Sequence, residues 1–144
     1  MVKKTSNSVL VIISIVGFIL SFIWENLHFP LYQSYADWMV HIFFLFCALG
    51  DIILIFLVYF LTAALFKDLF WLTKLHFKKI VVTLIISIII SLVAEKAALL
   101  LGWWQYNDQM PVILILNIGL SPFLAISLLP IITFIASKKI NQIF

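Results

Sequence analysis

The chain has 144 residues, 65% of them hydrophobic and 10% charged, with a mean hydropathy of +1.24. A soluble domain is about 45–50% apolar and about 25% charged, so these proportions exclude a water-soluble enzyme, a nucleic-acid reader and a disordered regulator, and predict one integral membrane domain over residues 1–144. The formal charge of +3 comes from nine lysines against six acids with no arginine; the lysines flank apolar runs and therefore report orientation, not an anionic partner.

The first apolar run, residues 8–27, follows Lys3 and Lys4 as a signal peptide would. It ends in Ile23-Trp24-Glu25-Asn26, not in a small-residue cleavage pattern, and reads as a retained helix. Ser14, Gly17, Ser21, Glu25 and His28 recur at three- and four-residue steps, so they share one helical face. Small residues at that spacing let membrane helices approach closely, within a chain or between two copies in a homodimer.

Tyr32, Tyr35, Asp37 and Trp38 lead into the second run, residues 38–66. It holds His41 in its first turn, the single cysteine Cys47, and Gly50-Asp51 near its middle. One cysteine excludes an intramolecular disulfide and a cysteine-rich metal site. The connection at 67–79 alternates Lys67, Lys74, Lys78 and Lys79 with Leu69, Phe70, Trp71, Leu72, Leu75 and Phe77. That mixture predicts a segment lying along a membrane interface, where His76 has no chemistry to perform.

The third run, residues 80–101, places Thr83, Ser87, Ser91 and Glu95 at four-residue steps, a packing seam ending in an acid. Trp103, Trp104, Tyr106 and Asp108 follow, and then the fourth run, residues 111–136, with Asn117 and Ser121 four apart in its first half. Pro122 and Pro130 are expected to bend that helix. Each run has the length of about 20 residues needed to cross a bilayer core of roughly 30 Å. Helices satisfy their own backbone hydrogen bonds in lipid, so the predicted fold is all-α, a bundle of four transmembrane helices. Eight of the nine lysines fall on one side of this arrangement and only Lys96 on the other. The positive-inside rule then puts both termini and the middle connection in the cytoplasm, in the cytoplasmic (inner) membrane.

On this topology the polar residues collect in the external half, and the internal half is expected to be almost purely aliphatic. A charge at the centre of a membrane helix costs about 2.5–3.5 kcal/mol on insertion scales, and Asp51 is expected to bear most of that cost. Glu95, Asp51 and Glu25 are the candidate catalytic groups. His28, Tyr32, His41, Trp104, Tyr106, Asn117 and Ser121 are the candidate ligand-binding residues. A plainer reading competes: Glu25 and Glu95 cap the packing seams by bonding His28, Lys96, Tyr106 or an indole, and the Trp and Tyr residues form an interface belt. Glu25 and His28 have the spacing of a di-metal ligand pair, but no second pair exists, so no metal is expected. Without a Gly-rich phosphate loop, a nucleophile motif or any arginine, no cofactor and no phosphoryl transfer are expected either.

Four motifs carry a resemblance: W-E-N-L-H-F-P-L-Y at 24–32, Gly50-Asp51, E-K-A-A-L-L-L-G-W-W-Q-Y-N-D-Q-M-P at 95–111, and N-I-G-L-S-P at 117–122. Together they resemble a group of small four-helix bacterial integral membrane proteins with no assigned activity. The shorter pattern of Glu95, Gly102, Trp104 and Tyr106 is similar to the membrane domains of carotenoid lycopene cyclases. The chain departs from those domains at Pro130, which is followed by Ile131-Ile132 where they carry paired glutamates.

Three functions are compatible with these residues. The first is a binder of, or enzyme acting on, a hydrophobic lipid or isoprenoid-like molecule, with the carboxylates as proton donors or counter-charges. The second is a small proton-coupled transporter in which Asp51 and Glu95 titrate in turn. The third is a non-enzymatic assembly or scaffold protein. Membrane lipids and a hydrophobic small molecule are the expected partners, and nucleic acid is not among them.

Overall fold

The computed structural model describes residues 4–33 and 37–142, with side chains for 9–33 and 42–142. Four helices dominate: α1 (Lys4–His28), α2 (Asp37–Phe66), α3 (Phe77–Leu100) and α4 (Leu120–Asn141). All four contain stretches long and apolar enough to cross a membrane. Large apolar side chains such as Leu27, Phe46, Ile53, Leu65, Val93 and Leu100 stand exposed around the bundle. A surface of that kind belongs to a multi-pass membrane protein, since soluble monomers rarely show continuous apolar patches larger than a few hundred Å².

Each helix packs on its neighbours, with α1 also closing against α4. One end of the bundle carries the start of α1, the α2–α3 connection and the end of α4. The other end, the site end, carries the α1–α2 and α3–α4 connections.

The small-residue stripes are the inner faces of their helices. On α1, Gly17 lets Ile55 of α2 and Thr133 of α4 come close; a Cβ there would stand 3.2 Å from the Ile55 Cδ1 and 3.6 Å from the Thr133 Cγ2. The seam that sequence offered to a second copy is thus occupied within the chain. On α3 the buried face runs Lys79, Thr83, Ser87, Ser91, Glu95, Ala98. Ser87 and Thr83 donate to carbonyls four residues back, at 2.9 and 2.7 Å. Ser91 instead donates 2.9 Å across to the Phe123 carbonyl of α4.

The half of the bundle away from the site end is not purely aliphatic. Its core combines Ile13, Ile55 and Val58 with Tyr59, Trp71 and Phe134, and buries the hydroxyl-bearing Thr62, Thr133 and Ser137. Trp71 lies 5.5 Å from Tyr59 and 5.4 Å from Phe134, centroid to centroid. Its indole donates 3.2 Å to the Tyr59 carbonyl, and the Tyr59 hydroxyl donates 2.6 Å to the Leu69 carbonyl. The α2–α3 connection therefore folds in as a plug, with Trp71 and Leu72 buried while Leu69, Phe70 and Phe77 remain exposed. Lys79, also buried, donates to the Trp71 carbonyl and to Asp68. His76 is exposed, with its Nδ1 3.0 Å from the Lys74 carbonyl.

The fourth apolar run divides. Residues 111–119 form a hairpin of β1 (Val112–Ile113) and β2 (Ile118–Gly119), and α4 begins at Leu120. The reason is local. Asn117 takes a left-handed φ of 49°, which asparagine tolerates better than most residues, and β-branched Val112, Ile113 and Ile118 suit strands. Pro122 consequently falls in the first turn of α4, where a missing N–H costs nothing, while Pro130 is interior to the helix.

Candidate functional site

The chain leaves α3 through a left-handed glycine. Gly102 has a φ of +68° and donates to the Leu99 carbonyl, and Trp103 donates to the Ala98 carbonyl. This pairing ends a helix and turns the chain sharply. Here it returns the connection across the bundle, so that Trp104 and Tyr106 reach the acid at the end of the α3 seam. The connection is then sewn to the one after α1. Tyr32 and Tyr106 pair as strand neighbours, Gln33 N–H donates to the Gln105 carbonyl, and Asn107 N–H to the Leu31 carbonyl. The Asn107 side chain adds bonds to the carbonyls of Pro30 and Tyr32, at 2.7 and 3.1 Å.

Glu95 is completely buried, Glu25 is buried, and Asp51 is half-buried. Its Oε1 accepts from the Trp104 indole at 3.1 Å and from the Tyr106 hydroxyl. The Tyr106 oxygen in turn accepts from Gly119 N–H at 2.9 Å. Burial, and then the bond to Glu95, hold the Tyr106 phenol well above its ordinary range, so it stays a donor. The second oxygen, Oε2, is buried with no hydrogen-bond partner. Glu25, also buried, lies with its Oε2 3.1 Å from His28 Nε2, and His28 Nδ1 is 3.1 Å from the Ser121 hydroxyl at the start of α4. Lys96, offered by the sequence as a partner for Glu95, is exposed.

Asp51 projects inward from the middle of α2 beside Ser21 of α1, and its Oδ2 is buried and unpartnered. Between these acids lies a cavity of about 630 Å³. Glu25, His28, Tyr32, Asp51, Glu95 and Trp104 all contribute to its wall. Phe46 and Ile53 of α2 and Trp103 beyond α3 also line it and are largely exposed. At these side chains the cavity reaches the apolar side of the bundle, and Ala94 and Ala97 of α3 line it without bulk.

The aromatic residues are not a simple belt. Tyr32 is buried, 5.2 Å from the His28 ring and 6.2 Å from Trp104, centroid to centroid. Its phenol is held up by burial first and by Glu95 and Glu25 after that. Trp103 is the exposed member of the pair.

The structure thus gathers Glu25, His28, Tyr32, Asp51, Glu95 and Trp104 around one space and places Tyr106 and Ser121 behind them as supports. Asn117 is not among them: it is exposed in the hairpin turn, where it takes the left-handed backbone conformation. The side chain of His41 lies outside the described residues. Sequence reasoning passed over Phe43, Cys47, Gly50 and Leu54, which line the cavity from α2. Their signal was present as the four-, three- and four-residue steps that put 43, 47, 50 and 54 on one face of α2, which Asp51 borders. Among the described residues no group of three or more His, Cys, Asp and Glu side chains is placed to hold a metal ion. No family model, no curated protein and no solved structure matches this chain.

Proposed function

We propose that this protein binds a hydrophobic molecule taken laterally from the membrane, holding its polar end against Glu25, Asp51 and Glu95. The observation that carries this reading is the 630 Å³ cavity, whose walls are mainly apolar and carry Glu25, Asp51 and Glu95 among a few polar groups. Ligand sites of roughly 300–1,000 Å³ have that composition. Its reach to the apolar side of the bundle suits a ligand dissolved in lipid. The plug of Trp71 and Leu72 supports a dead-end pocket over a conduit.

The chemistry within reach of such a pocket is proton transfer at Glu95, whose Oε1 is fixed by two donors while Oε2 is free for a ligand. The lysine distribution supports termini in the cytoplasm and a site in the outer half of a cytoplasmic membrane.

Mass spectrometry of organic extracts tests this. Protein purified in mild detergent should yield one hydrophobic compound in stoichiometric amount, lost from both Glu95→Gln and Asp51→Asn. Extracts containing only bulk phospholipid, the same for all three proteins, would return the carboxylates to a packing role.

A further inference from the structure

Resting on that reading, the geometry points to a lipophilic cation as the occupant: a molecule with an apolar body and a protonated amine or comparable cationic head. Three carboxylates line the cavity, and among the described residues that line it there is no lysine and no arginine. Among the described residues its single basic side chain, His28, already faces Glu25 through Nε2 and Ser121 through Nδ1. Lys96, one residue along α3 from Glu95, is exposed and does not line the cavity. An anionic head, such as a carboxylate or phosphate, would meet acids and no counter-charge.

The unpartnered oxygens point to the same class. Oε2 of the fully buried Glu95 and Oδ2 of Asp51 are both enclosed without a donor. Leaving such atoms unmatched is costly, and a ligand head rich in N–H groups supplies what both lack. A cation also offsets their mutual repulsion. Aromatic rings complete the arrangement, because Tyr32, Phe43 and Trp104 line the same space and ring faces attract cations, most strongly where water is absent. The apolar body would then lie along Phe46 and Ile53 towards the apolar side of the bundle.

Native mass spectrometry of the full chain, delipidated in detergent, decides this with three probes sharing one alkyl chain: hexadecylamine, hexadecanol and hexadecanoic acid. At neutral pH the amine should be retained one per chain, roughly tenfold or more tighter than the alcohol, with the acid weakest. Asp51→Asn and Glu95→Gln should each weaken the amine and leave the alcohol nearly unchanged, while Lys96→Gln changes neither. Equal retention of amine and alcohol, or preference for the acid, would overturn the cationic head while leaving a hydrophobic pocket standing. Retention of none of the three would overturn the pocket reading as well. The comparison of head groups uses the unaltered chain, so it decides even where a carboxylate variant fails to fold.

Discussion

The indole nitrogen of Trp104 stands 3.1 Å from Oε1 of Glu95, although nine residues separate them and one is in a helix and the other in the connection that leaves it. That single contact requires the left-handed turn at Gly102 and brings Tyr106 to the same oxygen. An acid held in this way keeps its orientation whether or not a ligand is present, because both donors belong to the protein.

The donors should therefore be separable by stability. Trp104→Phe removes one of the two bonds to Oε1 and is expected to cost about 1–3 kcal/mol. Tyr106→Phe removes a bond to Glu95 and also strips the acceptor from Gly119 N–H, so it should cost more. Thermal unfolding in detergent, followed by circular dichroism, gives the ranking; the reverse order would contradict the relay.

Two glycines of the site should respond in opposite directions. A Cβ on Gly119 would stand 2.9 Å from the Tyr106 ring and 3.1 Å from the Met110 sulfur, so Gly119→Ala must displace Tyr106. An overpacking cost of about 1–3 kcal/mol follows. Gly50 has no such neighbour within 4 Å and lies inside α2, so Gly50→Ala should stabilise the helix by up to about 1 kcal/mol. It should nevertheless weaken ligand retention, since Gly50 lines the cavity.

Alkaline pH should expose the buried phenols. Burial raises both Tyr32 and Tyr106 above the ordinary value of 10.0. A raised pKa means that the unfolded chain gives up these protons first, so their contribution to stability is complete below pH 10.0 and declines as pH rises beyond it. The melting temperature should drop more steeply above that point in the wild type than in Tyr32→Phe. Tyrosinate absorbance from these two residues should rise together with unfolding, not before it.

Orientation can be read by labelling. In a Cys47→Ala background, Lys74→Cys and Asp108→Cys place single exposed thiols at opposite ends of the bundle. A membrane-impermeant maleimide added to intact cells should label Asp108→Cys, and Lys74→Cys only after the membrane is opened. The opposite pattern would invert the lysine argument.

Composition and spacing alone determined the helical class and the number of apolar runs, because a helix in lipid must be long, apolar and self-bonded, and all three properties are local. Inward-facing stripes were legible for the same reason: Ser87, Ser91 and Glu95 share a face by helical periodicity before any neighbour is known. The hairpin at 112–119 was not legible, since an apolar run beginning at Pro111 satisfies a hydropathy criterion equally as strand or helix, and only the left-handed Asn117 and the close approach at Gly119 distinguish them. The plug of Trp71 and Leu72 was hidden likewise, because the bonds between Trp71 and Tyr59 cross from one element to another. Above all, sequence could nominate Glu25, Asp51 and Glu95 one by one but could not give the space between them. That cavity is bounded by residues of all four helices and of the α3–α4 connection, and such a space is a property of packed helices, which no single helix encodes.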